Sequence, residues 1–254
     1  MVATTATAQL ELSRLENVMS LPAIPIFLHI PDGFLSTPVA LLFYVLAGIA
    51  VGVAVRQTNR TLKESTAPLM GVLAAFIFAA QMMNFPVAGG TSGHMLGGAL
   101  AAILLGPWAA IIVMTAVIGI QALVFQDGGL AVLGANVFNM GVATAFVGYA
   151  VYKAIAVAGR YSRPFILTAT FAAAWISVMV AAQLTSLQLV VSDTSELNVV
   201  LPAMLGVHAL IGVGEGLISI GAVAFVLSAR PDLLNVVPEE PDFVGNSALS
   251  GERS

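Results

Sequence analysis

Three histidines, His29, His94 and His208, are the side chains of this chain best suited to hold a transition metal, because imidazole nitrogen is a ligand that borderline divalent ions favour. The chain has no cysteine, so any such site must use nitrogen, oxygen or thioether donors. His94 closes the run Phe85-Pro86-Val87-Ala88-Gly89-Gly90-Thr91-Ser92-Gly93, too glycine-rich for a spanning helix and too apolar for a soluble loop. Irregular backbone of this kind survives at membrane depth only when it is buried in protein or lines a cavity, and its glycines let main chain approach a ligand. His29 begins His29-Ile30-Pro31-Asp32-Gly33-Phe34-Leu35-Ser36, just ahead of a long apolar helix. His208 and Glu215 are two helical turns apart and share one side of the last helix. In hydrocarbon Glu215 must be paired or neutral, so the two either support the ligands from behind, mark a route inward, or form a polar pair that fixes packing. Asn136 and Asn139, beyond Gln126-Asp127-Gly128-Gly129, either border such a route or bond neighbouring helices. Each histidine also has a plainer reading as a hydrogen-bonded packing residue, and the glycine-rich run as an ordinary turn.

The elements that must position these groups are written in the composition. Of 254 residues, 59% are apolar and 9% charged, with a mean hydropathy of +0.98, against roughly 25% charged in soluble domains. Apolar segments near 38–55, 68–83, 107–126, 132–157, 164–190 and 200–228, with a shorter one at 94–105, predict an all-α polytopic membrane bundle. A membrane β-barrel would alternate apolar and polar residues instead. The basic residues of the body fall at Arg56, Arg60 and Lys63, then Lys153, Arg160 and Arg163, then Arg230. A break at Gly106-Pro107 puts all three clusters in the cytoplasm, as the positive-inside rule requires. The expectation is therefore seven transmembrane helices with a Gly-rich re-entrant loop, N-terminus outside and C-terminus cytoplasmic. Residues 28–230 form the membrane domain, between an N-terminal extension 1–27 and a flexible cytoplasmic tail 231–254 rich in Pro, Ser and acids. Residues 1–27 lack the basic leader and apolar core of a signal peptide. The location implied is the cell (inner) membrane, with the lipid bilayer as partner; a net charge of −4 gives no reason to expect nucleic acid.

The His29-to-Ser36 segment, the loop ending at His94, Gln126-Asp127-Gly128-Gly129 through Asn139-Met140-Gly141, and His208-Ala209-Leu210-Ile211-Gly212 through Glu215-Gly216 together resemble the CbiM/NikM family over about residues 28–228. These are the substrate-specific components of energy-coupling-factor transporters for cobalt and nickel. In that family the chain begins Met-His, and a planar nitrogen set holds the metal: the free terminal amine, the second residue's amide and imidazole nitrogens, and an imidazole from the glycine-rich loop. The resemblance implies that His29 and His94 bind the ion. Such fused chelate rings suit Ni(II), and Co(II) more loosely, while Mg²⁺ and Ca²⁺ prefer oxygen. The amine and imidazoles must be unprotonated, so binding should weaken in acid. Here Leu28 stands in the first-ligand position and supplies an amine only if it is the N-terminus. The expectation is that Leu28 is the true start, read from UUG or CUG, with 1–27 a misassigned extension; proteolysis after Phe27 would free the same amine.

No G-x-x-x-x-G-K-[ST] phosphate loop is present, so ATP hydrolysis by that chemistry belongs to other chains. The resemblance implies a transmembrane coupling subunit, two ATPase subunits and a small accessory membrane subunit. The imported Co(II), for cobalamin biosynthesis, or Ni(II), for metalloenzymes, would be cargo; no permanently bound cofactor and no catalytic residue is expected. Gly48, Ala50, Gly52 and Ala54 on the first long helix have the spacing that lets membrane helices approach, and serve either the coupling subunit or the chain's own packing. An intramembrane metal-dependent enzyme is the alternative, but the chain has no H-E-x-x-H. A permease for an organic solute is a further one.

Overall fold

The computed structural model describes residues 29–61, 66–83, 85–86, 92–230 and 233–234. The extension 1–27, Leu28, Lys63 and nearly all of the tail 231–254 lie outside the described residues. Among those described, the architecture is helical: α1 (Thr37–Thr61), α2 (Thr66–Met82), α3 (Gly98–Leu105), α4 (Pro107–Val124), α5 (Leu133–Ala158), α6 (Arg163–Val191) and α7 (Leu197–Ala229). A two-residue antiparallel ladder, Phe85–Pro86 against Ser92–Gly93, is the sole extended pairing among the described residues.

Five of these helices, α1, α4, α5, α6 and α7, are long and apolar enough to cross a membrane, and α2 is shorter. Gly106 and Pro107 do divide the apolar stretch expected to break there: Gly106 caps α3 and Pro107 opens α4, a position where its missing N–H costs nothing. With 8 residues, α3 rises only about 12 Å, well short of about 30 Å of hydrocarbon. All its residues are buried, as are residues 94–97 just ahead of it, so irregular backbone there is sheltered inside the protein.

Small residues allow that wrapping. A Cβ on Gly148 of α5 would lie 2.5 Å from the Ala99 Cβ, and one on Gly98 would lie 1.9 Å from Thr144 Oγ1 and 2.8 Å from the Met140 carbonyl. Met140 belongs to a π-helical stretch, Val137–Ala143, and the Thr144 hydroxyl donates to its carbonyl at 2.5 Å. The π-turn thus widens α5 where α3 docks. On the far side, α6 and α7 close on Gly212 against Trp175 and Gly216 against Phe171, with Trp175 Nε1 donating to the Ala209 carbonyl at 3.1 Å. Leu41, Val45 and Ile49 of α1 are about 60% exposed, as suits a face turned to lipid.

Helix directions sort the charges. The starts of α1, α5 and α7 and the ends of α4 and α6 gather at one end with Asp32, Asp127, Asp193 and Glu196. Arg56, Arg60, Lys153, Arg160, Arg163 and Arg230 collect toward the opposite end, where Arg163 reaches Ser228 at 3.3 Å.

Candidate metal centre

The acidic end is built on the segment that carries His29. Asn136, on the first turn of α5, grips Ile30 on both sides: its Oδ1 accepts from the Ile30 N–H at 3.1 Å and its Nδ2 donates to the Ile30 carbonyl at 3.0 Å. The same carbonyl accepts from the Gly129 N–H at 2.9 Å. Asp32 returns the hold, its carboxylate accepting from the N–H groups of Leu130 at 3.1 Å and Ala131 at 2.8 Å. Gly129 is needed for this approach, since a Cβ there would meet Asp32 Oδ1 at 2.0 Å and its backbone nitrogen at 2.3 Å. The Tyr44 hydroxyl donates to the Leu130 carbonyl, and the Thr194 hydroxyl to the Phe34 carbonyl, tying in α1 and the α6–α7 turn.

His29 is then seated by its neighbour Asp127. Nδ1 donates to the Asp127 carbonyl at 3.2 Å and lies 3.6 Å from its carboxylate, while Nε2 is buried with no hydrogen-bond partner among the described residues. Burial pushes the His29 pKa down to about 4, helped by the nearby His94 and opposed by Asp127. The imidazole is therefore neutral across the physiological range, the form that binds metal.

His94 arrives on a separate arm, residues 94–97, all buried. Its Nδ1 donates to the Met95 carbonyl at 2.9 Å, which places the lone pair on Nε2. The arm is clamped behind the histidine. Leu96 donates its N–H to Glu215 Oε2 at 2.7 Å, Gly97 donates to Glu215 Oε1 at 3.0 Å, and the Leu96 carbonyl accepts from Gln81 Nε2 at 2.6 Å. Gln121 of α4 in turn donates to Gln81 at 2.8 Å.

The two rings meet edge to face, with centroids 5.3 Å apart and planes at 89°. A shared ion would need one nitrogen of each ring about 2.0–2.1 Å away from it. Among the described residues no group of three or more His, Cys, Asp or Glu could hold a metal, so further donors would be backbone groups, water or residues outside that set. His29 and His94 open onto a cavity of about 440 Å³ that Asn136, Asn139 and His208 also line.

The other sequence candidates separate. His208 spends Nδ1 on the Met204 carbonyl one turn back at 2.8 Å, and the bonds of Glu215 go to the His94 arm, so these two do not pair. Asn139 exchanges two hydrogen bonds with Gln188 of α6, both 2.8 Å, and donates to Thr185 at 3.1 Å. On α1, Ala54 is fully buried and Ala50 packs against the core, whereas Cβ atoms on Gly48 and Gly52 would meet nothing within 4 Å. Asp32, Asp127, Gln81 and Gln121 were not singled out from sequence; two buried glutamines on apolar helices were the available signal.

Residues 29–233 match the family described as the cobalt uptake substrate-specific transmembrane region, CbiM. The chain belongs to the CbiM family. Relatives of this family member include a protein of Archaeoglobus fulgidus provisionally named as the fused nickel transport protein NikMN, 45% identical over 209 residues, which are 82% of this chain and 68% of that one. The cobalt transport protein CbiM of Sorangium cellulosum is 33% identical over 82% of this chain and 95% of its own length. A crystal structure of a truncated transition metal transporter superposes with a TM-score of 0.72 at 32% identity, covering 79% of this chain and 98% of that one. The exposed apolar faces and five crossing-length helices of this CbiM-family chain fit a multi-pass membrane protein.

Proposed function

We propose that the chain is the cargo-binding component of an ATP-driven uptake transporter, taking Co(II) or Ni(II) from the outer face of the cell membrane. The observation that carries this reading is the meeting of two buried imidazoles, His29 and His94, beside one cavity at the acidic end of the bundle. Such a nitrogen pair favours borderline ions over Mg²⁺ or Ca²⁺. The remaining positions fall to the amide of His29 and, only if Leu28 is the N-terminus, to its free amine. A ring closed between the His29 amide and its own imidazole runs through Nδ1, so capture exchanges the long Asp127 contact for the ion. His208, on the cavity wall, borders the route by which the ion leaves.

The orientation follows from charge: the acidic end faces outward, and the end carrying Arg56, Arg160, Arg163 and Arg230 faces the cytoplasm. With the buried half-helix α3 and its approach counted as one crossing, the chain passes the membrane seven times. Energy comes from two ATPase subunits through a transmembrane coupling subunit, joined by a small accessory membrane subunit. Gly48 and Gly52 offer the coupling subunit an unobstructed edge of α1.

Competitive Co(II) and Ni(II) binding to protein beginning at residue 28 tests the reading. His29→Ala and His94→Ala should each weaken binding by more than the roughly tenfold to hundredfold that loss of a supporting hydrogen bond costs. Undiminished affinity in both variants would overturn it.

A further inference from the structure

Glu215 is a fully buried carboxylate in the middle of an apolar helix, an arrangement costly enough in a membrane to need a specific return. Its two oxygens accept from consecutive backbone N–H groups, Leu96 and Gly97, two and three residues after His94. The Leu96 peptide is claimed from both sides, because Gln81 of α2 donates to its carbonyl and is itself held by Gln121 of α4. Rotating that peptide would break bonds to α2 and α7 together, bonds made by the fully buried side chains of Gln81 and Glu215. Gly97 holds a left-handed turn with φ of +84°, where an added Cβ would stand 2.7 Å from the Ile77 side chain, so the arm passes Ile77 closely only because this residue has no side chain.

We infer that Glu215 is the positioning residue that fixes the direction of the His94 imidazole toward the cargo ion, acting through the Leu96–Gly97 backbone. This rests on the reading of His29 and His94 as the metal-holding pair. The consequence is retention: an arm already ordered before capture gives up little freedom on binding, and an ion already held dissociates slowly.

The test uses Glu215→Gln, which keeps size but turns an amide N–H₂ toward one of the two backbone donors. Co(II)-loaded protein is followed by its visible absorption, which reports ligand direction, and by the rate of release to a chelator. Glu215→Gln should release Co(II) about tenfold to a hundredfold faster and shift the absorption bands. In a His94→Ala background the same change should add nothing, since the effect acts through His94. Folded Glu215→Gln protein with wild-type spectrum and release rate would overturn the inference while leaving the binding site standing. Wild-type protein that binds neither Co(II) nor Ni(II) would remove both. Should Glu215→Gln not fold, Gln81→Leu decides: faster release with a shifted spectrum supports the clamp, and wild-type behaviour refutes it.

Discussion

At one end of the bundle, segments far apart in sequence are bound to one another through buried backbone groups; at the other, helices meet across a solvated, basic surface. His29 and Asp127 are 98 residues apart, Ile30 and Asn136 are 106, and Leu96 and Glu215 are 119. The opposite end has the exposed Arg163–Ser228 link at 3.3 Å and a gathering of arginines. Hydrogen bonds in a dry interior fix atomic positions, because breaking one leaves a group with nothing else to bond. Bonds at a wet surface exchange with water at little cost. The difference teaches that fixed atomic positions are concentrated at the end proposed to hold the ion, while the basic end is held by contacts that water can replace.

Four perturbations should separate the two ends, beginning with the most severe. Gly129→Ala drives a methyl into the backbone and carboxylate of Asp32; the His29 segment should fail to dock, with stability falling by about 3 kcal/mol and metal binding lost. A near-wild-type melting temperature with intact binding would contradict the close approach. Next, Asn136→Ala strips the Ile30 N–H of its buried acceptor, at a cost of about 1–3 kcal/mol. The Ile30 amide should then exchange hydrogen much faster in metal-free protein, and unchanged protection would count against Asn136 as its anchor.

Acid should loosen the same segment. His29 has a pKa of about 4 when seated and its ordinary 6.5 when released, so between these values the released form binds the extra proton. Seating is complete above about pH 6.5 and is progressively lost as pH falls toward about 4, whereas His29→Gln should show no such slope. Protease protection of residues 29–35 measures this, and protection that rises in acid would reverse the sign. The smallest effect belongs to the basic end: Arg163→Ala should change stability by no more than about 0.5 kcal/mol and leave metal affinity unaltered. A large change there would erase the contrast.

The helices were legible in the sequence because apolar runs of spanning length have few other uses, and because Pro107 enforces a break whatever surrounds it. The shortness of α3 was legible too, as the shorter segment ending at Gly106-Pro107, but its complete burial was not: hydropathy reads apolarity, and cannot tell a sheath of protein from one of lipid. His29 and His94 could be picked out because imidazoles are scarce in this chain. Glu215 and Asn136 could also be picked out, as polar groups on apolar helices, but their partners could not, and Asp32 was missed altogether, since all three bond mainly to backbone groups, which carry no residue-specific signal at the partner position. Helical spacing pointed from Glu215 to His208, its neighbour two turns away, whereas its bonds go to an arm 119 residues distant. The π-turn at Val137–Ala143, which lies where α5 meets Gly98, likewise had no marker among its own residues.

X-ray absorption of Ni(II)-loaded protein, which counts imidazoles around the ion, addresses the central claim most directly. The account predicts two imidazoles in the wild type and one in His94→Ala. A wild-type ion with a single imidazole, or a count that His94→Ala leaves unchanged, would contradict it.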